Sequence, residues 1–460
     1  MIESTSELLA ILMFLGAFLV LLTGFPVAFG LMGTAVAFAA IGAAIDGFPW
    51  ALMSSVGGRL IDLMTKETLV AVPLFIFMGV VLERSKIAED LLITMGQAFG
   101  KLRGGLGISV VIVGAILSAS TGIVGATVVT MGLISLPAMT RAGYDPRLSS
   151  GIICASGTLA QLIPPSTVLI LLGVTLQNAN TQANLQMGQF GGSTLSIADL
   201  FAAAFIPGLL LVGLYVLWLC TTAVFRPKSC PAIGSTAGEL HDLWWRALVA
   251  ILPPVALIVV VLGSIVTGTA TATESSAVGA LGACVLAGLR GRFHQGLLVE
   301  VARSTFFIST MIFAILIGAT IFAMVFRGLG GDHVVERFVT DLPGDLNGAL
   351  LFVLAVIFFL GFLLDTFEII FIVIPIFAPI LIVLGADPML FGVLVAIVLQ
   401  TSYLTPPFGF AIFYLQGVAK GLPITTIYRG VLPFVALQLF AAALVWFFPT
   451  LATWLPEVLP

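Results

Sequence analysis

Long apolar runs, separated by short clusters of polar and charged residues, set the pattern of this chain. The runs predict membrane-crossing helices at 8–23, 27–45, 68–83, 149–174, 199–224, 247–266, 270–289, 305–326, 389–416 and 431–455. Each approaches the 20 or so mainly apolar residues that a helix needs to cross the hydrocarbon layer. Two further stretches, 106–140 and 346–380, are 35 residues each. Both are too long for one span and are interrupted near the middle by polar residues. They fit re-entrant hairpins, in which two short helices meet at a tip enclosed by protein, because irregular backbone at membrane depth must be satisfied there. The expected fold class is an all-α membrane protein with about ten transmembrane helices plus two re-entrant helical hairpins.

Composition agrees. Of 460 residues, 60 % are hydrophobic and 9 % charged, with a mean hydropathy of +1.20. A soluble domain carries about a quarter charged residues, so a soluble fold is excluded. The net charge of −4 matters less than its distribution. Segments 84–103, 141–147, 226–246, 290–303 and 420–429 hold fourteen of the eighteen Lys and Arg residues. The positive-inside rule makes these cytoplasmic. Glu3 and Glu7 stand where a cleavable leader would be basic, so none is expected. Cys154, Cys220, Cys230 and Cys284 lack CxxC spacing and read as apolar fillers. Three histidines and no HExxH exclude an intramembrane metalloprotease.

An internal repeat divides the chain. Pro137, Asp145, Pro146, Pro164 and Pro165 recur, 242 positions later, as Pro379, Asp387, Pro388, Pro406 and Pro407. Thr23-Gly24 and Thr267-Gly268 sit at nearly the same shift. Each half holds three spans, an arm, a hairpin, a Pro-broken span and a final span. Five spans per half turn the halves in opposite directions. The first hairpin then opens to the cytoplasm, the second opens outward, and both termini lie outside.

Inverted repeats with broken helices point to a transporter's midplane site. The first break, Ala155–Thr167, and the second, Gln400–Gly409, each place two prolines among small hydroxyl residues. Proline removes backbone donors and frees carbonyls, giving hard oxygen ligands suited to Na⁺, while exposed helix N-termini suit an anion. The first tip, Ser118–Thr127, is small and hydroxylated; the second is Asp365-Thr366-Phe367-Glu368. Intramembrane carboxylates are functional candidates, yet Asp365 and Glu368 also fit a helix cap and its capping box. Other polar residues have plainer readings. Glu274 is expected at a helix end, and Asp145 and Asp387 at turns and helix starts. Arg84, Lys86, Lys101 and Arg103 read as lipid-headgroup anchors. Trp244 and Trp245, beside Arg246, read as an interfacial belt, and the Phe-rich stretch 352–377 as packing.

The run Gly151–Gly173, the hairpin Leu117–Pro137 and the late run Gly385–Gly409 resemble the large membrane subunit of tripartite ATP-independent periplasmic (TRAP) transporters. That family lies within the ion transporter superfamily, and the resemblance covers nearly the whole chain. It implies an inverted-repeat elevator that imports a small organic anion with two or more Na⁺ ions. A periplasmic substrate-binding protein would deliver the substrate, and a small four-helix membrane subunit, here a separate chain, would support the large one. By this resemblance one Na⁺ site joins Ser118, Ser120, Gly122 and Gly125 to Ser156, Gly157 and Thr158. A second joins Asp365 and Thr366 to Thr401, Ser402 and Thr405, with Glu368 as a further coupling carboxylate. Substrate would lie near Ser120, Thr121, Ser166, Thr366 and Gly409. Residues 106–174 and 346–416 would move, while 1–105, 175–345 and 417–460 stay fixed, with the segments 84–103 and 327–345 as arms. Segment Leu363–Glu368 is closer to the branch associated with keto or hydroxy acids. The implied location is the bacterial inner membrane, among lipid, with both termini periplasmic. No catalytic residue and no nucleic-acid partner is expected.

Three other readings compete. A stand-alone Na⁺/carboxylate symporter of the same superfamily would need no binding protein. An intramembrane aspartyl protease needs GxGD, but Gly361–Asp365 reads GFLLD and Asp145 sits in a basic loop. A channel is disfavoured by discontinuous helices in inverted halves.

Overall fold

The computed structural model describes residues 5–189, 195–232 and 240–458, and among these every regular element is helical. The first half of the chain forms α1 Thr5–Leu22, α2 Val27–Ala44, α3 Val56–Thr65, α4 Ala71–Arg84 and α5 Ile87–Phe99. It continues with α6 Gly105–Thr121, α7 Val124–Arg141, α8 Pro146–Thr158, α9 Thr167–Gln186 and α10 Ile197–Phe225. The second half opens with α11 Leu240–Val266, α12 Ala272–Leu289, α13 Gln295–Gly328, α14 Gly331–Thr340 and α15 Asp345–Leu360. It closes with α16 Thr366–Ile372, α17 Ile374–Val383, α18 Pro388–Leu404, α19 Phe410–Val418, α20 Ile424–Phe447 and α21 Thr450–Val458. Among the described residues, eight helices are long and apolar enough to cross a membrane, or up to ten spans if two interrupted helix pairs each count once. The protein is an all-α, multi-pass membrane protein.

Both repeated Asp-Pro pairs start helices. Asp145 Oδ1 accepts from the Arg147 N–H at 2.9 Å, and Asp387 Oδ1 from Met389 and Leu390 at 2.7 and 3.0 Å. Proline follows at the first helical position, where its missing N–H costs nothing. Glu274 also ends a helix, completing a capping box with Thr271 at the start of α12.

Proline also explains where the elements depart from expectation. The expected span 431–455 stops at Phe448, because the residue before Pro449 is pushed out of the helical region, and α21 restarts beyond it. The outgoing arm of the second hairpin is two helices, α16 and α17, bent by 51° at Val373 just before Pro375. The span expected at 68–83 follows an interruption at Lys66. The span expected at 305–326 is the C-terminal two thirds of α13, 34 residues long, which absorbs most of the basic segment 290–303. Arg84, expected at lipid headgroups, lies 3.6 Å from the Glu300 carboxylate instead. Trp245 is exposed; Glu3 and the side chains of Trp244 and Arg246 lie outside the described residues.

Two compact units emerge, one from Met1–Val70, Leu171–Ser196 and Phe306–Phe391, the other from Ala71–Ile170, Ile197–Thr305 and Gly392–Pro460. In the first, Gly318 lets α13 approach α2 so closely that a Cβ there would sit 2.6 Å from Ala28 O. Phe14 packs against Phe322 and Phe326 with ring centroids 6.4 and 6.5 Å apart. Arg337 on α14 pairs with the buried Glu7 of α1 at 2.5 Å. In the second unit, α8 and α20 cross at Gly151 and Gly430, where either glycine's Cβ would strike the other helix's backbone. The hairpin α6–α7 packs on α8, and α4 covers its tip.

Candidate functional site

The first hairpin turns at Gly122, whose φ of +61° is the left-handed conformation that favours glycine. Two neighbours hold the tip. Thr167, the first residue of α9, donates its Oγ1 to Gly122 O at 2.9 Å. On the other side Gly79 of α4 presses in: a Cβ there would lie 2.6 Å from Thr121 Cα and 2.8 Å from Ser120 O. Within the tip, Ser120 Oγ and Thr121 Oγ1 donate to Leu117 O at 2.8 and 3.0 Å. Gly125 lies against the Tyr414 ring, and Gly157 against Val128, so both glycines are dictated by close approach.

The broken helix α8–α9 lies beside this tip. Ser118 Oγ donates to Ser156 O at 2.9 Å, joining hairpin to helix. Gly114 allows the contact, since a Cβ there would be 2.6 Å from Ser156 Cβ. Ser166 Oγ bridges back across the break to Ala160 O at 2.8 Å. In the second break, Thr401, Ser402 and Thr405 donate to carbonyls one turn earlier, at 2.7 to 2.8 Å. Gly409 opens α19, and its Cβ would be 2.5 Å from Tyr403 O. Pro164–Pro165 and Pro406–Pro407 are both cis.

A buried amide–phenol cluster ties the two breaks together. Gln438 Nε2 on α20 donates to Tyr215 Oη on α10 at 2.8 Å and to Thr158 Oγ1 at 3.2 Å. Gln400 Nε2 donates to the same phenol at 3.3 Å. Tyr215, Thr158, Gln400 and Gln438 are all 0 % exposed. Among the described residues, Ser156 Oγ, Gln400 Oε1 and Gln438 Oε1 are buried without a hydrogen-bond partner. Such oxygens lie in a low-dielectric interior where an unpaired acceptor is costly.

The other unit holds the second tip. Asp365 Oδ1 accepts from Thr366 N at 2.7 Å, and Asp365 N donates to Glu368 Oε2 at 3.1 Å. This is a capping box on the seven-residue helix α16. The same unit contains a cavity of about 340 Å³ whose wall includes Arg59, Lys66 and Arg327 against one acid, Asp62. Gln182 accepts from Arg327 there at 2.9 Å, and Asn178 from Lys66 at 2.7 Å.

Comparison with known proteins gives this architecture a family. The model of the tripartite ATP-independent periplasmic transporter, DctM component, matches residues 14–451. The chain belongs to the DctM family. The C4-dicarboxylate TRAP transporter large permease protein DctM of Pseudomonas aeruginosa is 30 % identical over 404 residues, covering 87 % of this chain and 88 % of that one. The ectoine/5-hydroxyectoine TRAP transporter large permease protein UehC of Ruegeria pomeroyi is 29 % identical, covering 98 % and 99 %. The crystal structure of the Alcanivorax borkumensis YdaH transporter matches with a TM-score of 0.63 at 15 % identity, over 87 % of this chain and 90 % of that one, a likeness of fold. Membership in a transporter family makes the DctM chain a transport component rather than an enzyme.

In this DctM permease the residues of the first expected ion site gather in one unit: Ser118, Ser120, Gly122, Gly125, Ser156, Gly157 and Thr158. Thr121, Ser166, Thr401, Ser402, Thr405 and Gly409 belong to it too, whereas Asp365, Thr366 and Glu368 belong to the other. Sequence reasoning missed Tyr215, Gln438 and Gly79. The signal for Gln438 was present, since it is the lone amide in the apolar helix Ile424–Phe447, and a polar residue there faces the interior. Nothing local marked Gly79, because close approach depends on the partner helix.

Proposed function

We propose that this DctM permease imports a small organic anion, a carboxylate, together with Na⁺, across the bacterial inner membrane. It would receive the substrate from a periplasmic binding protein and work beside a separate small membrane subunit, the complement that the relatives' name "large permease" calls for. The observation that carries this reading is the buried, neutral oxygen set around Ser118, Ser156 and Thr158. Among the described residues no three His, Cys, Asp or Glu side chains come together. Hydroxyls and carbonyls freed at the breaks are hard ligands of the kind that hold Na⁺ in broken-helix transporters. A second ion is proposed at the hydroxyls of the second break, Thr401, Ser402 and Thr405, and the tip carboxylates Asp365 and Glu368 are proposed to take part in ion coupling.

For substrate, the N-termini of α9 and α19 open directly from the breaks and favour a carboxylate, with Ser120, Thr121, Ser166 and Gly409 as the proposed contacts. The cationic cavity at Arg59, Lys66 and Arg327 supports an anion, because clefts lined by one sign of charge concentrate the opposite one. In the proposed elevator, residues 106–174 and 346–416 move, and α20, expected to stay fixed with the rest of 417–460, is proposed to move with α8 because their backbones meet at Gly151 and Gly430. The arms α5 and α14 link the moving and fixed parts, and both termini lie in the periplasm.

The test is uptake into proteoliposomes holding this chain and its small subunit, with and without a Na⁺ gradient and binding protein. Uptake that requires both upholds the proposal. Na⁺-driven uptake without binding protein would make the chain a conventional symporter, and uptake indifferent to Na⁺ would remove the ion sites.

A further inference from the structure

One large cavity in the unit that holds the first hairpin, of about 880 Å³, plays no part in the transport site. It opens between α8, α10 and α20, and its wall changes character along its length. One end carries Arg147, Arg226 and Arg429 with a single acid, Asp145. Asp145 is engaged as the cap of α8. Among the described residues, none of the three guanidinium groups has a hydrogen-bond or ion-pair partner. The remainder is apolar, with Leu217 and Leu432 exposed at 58 and 54 % and Trp218 between them and the basic end.

Three separate basic segments of the sequence, 141–147, 226–246 and 420–429, contribute one arginine each. They therefore share one end of this unit. The length of α10 fixes the depth of that end. Its 29 residues extend about 43 Å at 1.5 Å per residue, against about 30 Å of hydrocarbon. Arg226, immediately after α10, therefore reaches the headgroup layer, and Leu217, nine residues back, lies among acyl chains. Unpaired arginines at headgroup depth above an exposed leucine wall complement one kind of molecule: an amphiphile with an anionic phosphate head and an apolar tail.

We propose that this cavity is a specific site for an anionic glycerophospholipid, with the phosphate held by Arg147, Arg226 and Arg429 and an acyl chain laid along Leu217, Trp218 and Leu432. Guanidinium groups bind phosphate bidentately, and the apolar groove keeps a soluble phosphate from satisfying the rest of the wall. Basic pockets between transmembrane helices on the cytoplasmic side are suited to such heads.

The test uses the full chain purified with its small subunit and titrated with phosphatidylglycerol or phosphatidylcholine while native mass spectrometry counts bound lipid. The wild-type complex should retain phosphatidylglycerol in preference to phosphatidylcholine. Each arginine near the head is worth roughly a fivefold change in affinity, so Arg147→Gln, Arg226→Gln and Arg429→Gln together should weaken retention about a hundredfold. A second variant, Leu432→Trp, fills the groove and should lower retention with every charge intact. Both variants must elute as the intact complex. Equal retention of the two lipids, or a triple variant that binds like wild type, overturns the proposal. Displacement of phosphatidylglycerol by glycerol phosphate alone would also overturn it, reassigning the arginines to a soluble anion. Lipid retained by the chain alone but absent from the complex with the small subunit would show that protein covers the groove, with the same consequence.

Discussion

The two hairpin tips occupy matching places in the repeat and are built by opposite means. Between α6 and α7 the chain turns in two residues, Gly122 and Ile123; between α15 and α16 it takes five, Gly361–Asp365. The first tip is neutral and is satisfied by its neighbours, with Thr167 donating to its carbonyl and Gly79 giving it room. The second bonds its own backbone, through the carboxylates of Asp365 and Glu368. Where no water reaches the backbone, a turn must find partners somewhere. Borrowed partners make the first tip sensitive to residues far away in sequence; the second carries a cap of its own.

The largest effect that would break this contrast is expected at Gly79. Gly79→Leu drives a side chain into Thr121 and Ser120, so uptake should vanish and stability fall by about 1–3 kcal/mol. Leu363→Ala, at an exposed position of the second tip, should stay within about 0.5 kcal/mol. Thermal unfolding in detergent compares the two, and equal shifts would erase the distinction. Next, Tyr215→Phe removes the phenol shared by Gln400 and Gln438 and should cost about 1–3 kcal/mol through the amides left unpaired. An unchanged midpoint would mean the cluster adds nothing.

Smaller effects sharpen the second tip. Asp365→Ala removes the cap and should cost about 1 kcal/mol, whereas Asp365→Asn keeps a capping side chain and should cost less. Both should weaken Na⁺ activation in an uptake titration. If Asp365→Asn transports with wild-type Na⁺ dependence, the carboxylate is a cap and no more. An effect of similar size is expected for Ser118→Ala, which deletes one bond to Ser156 O and should cost about 0.5–1.5 kcal/mol of stability and raise the half-saturating Na⁺ concentration.

Much of the fold was legible because proline and aspartate act locally. Asp145-Pro146 and Asp387-Pro388 start helices whatever surrounds them, and Pro164-Pro165 and Pro406-Pro407 break them, so the repeat announced its own punctuation. Apolar run length located the spans for the same reason. The site was legible in part. Hydroxyl residues marked the tips and breaks, and the Asp365–Glu368 spacing announced the capping box. What stayed hidden depends on elements distant in sequence: Gly79 meeting Thr121, Gln438 reaching Thr158 across 280 residues, and Arg84 finding Glu300. The kink at Val373 had its signal in Pro375, masked by the unbroken apolar run around it.

The crossing of α8 and α20 at Gly151 and Gly430 has a mechanical consequence. Helices separated by side chains can slide, because the interdigitating layer exchanges one set of grooves for the next. Here the main chains meet directly, each lodged in a notch of the other, and no lubricating layer remains. The pair is keyed like a dovetail: a push on either rod displaces both by the same amount. Probes placed on Ser149 and Leu432 should therefore keep one separation throughout the transport cycle.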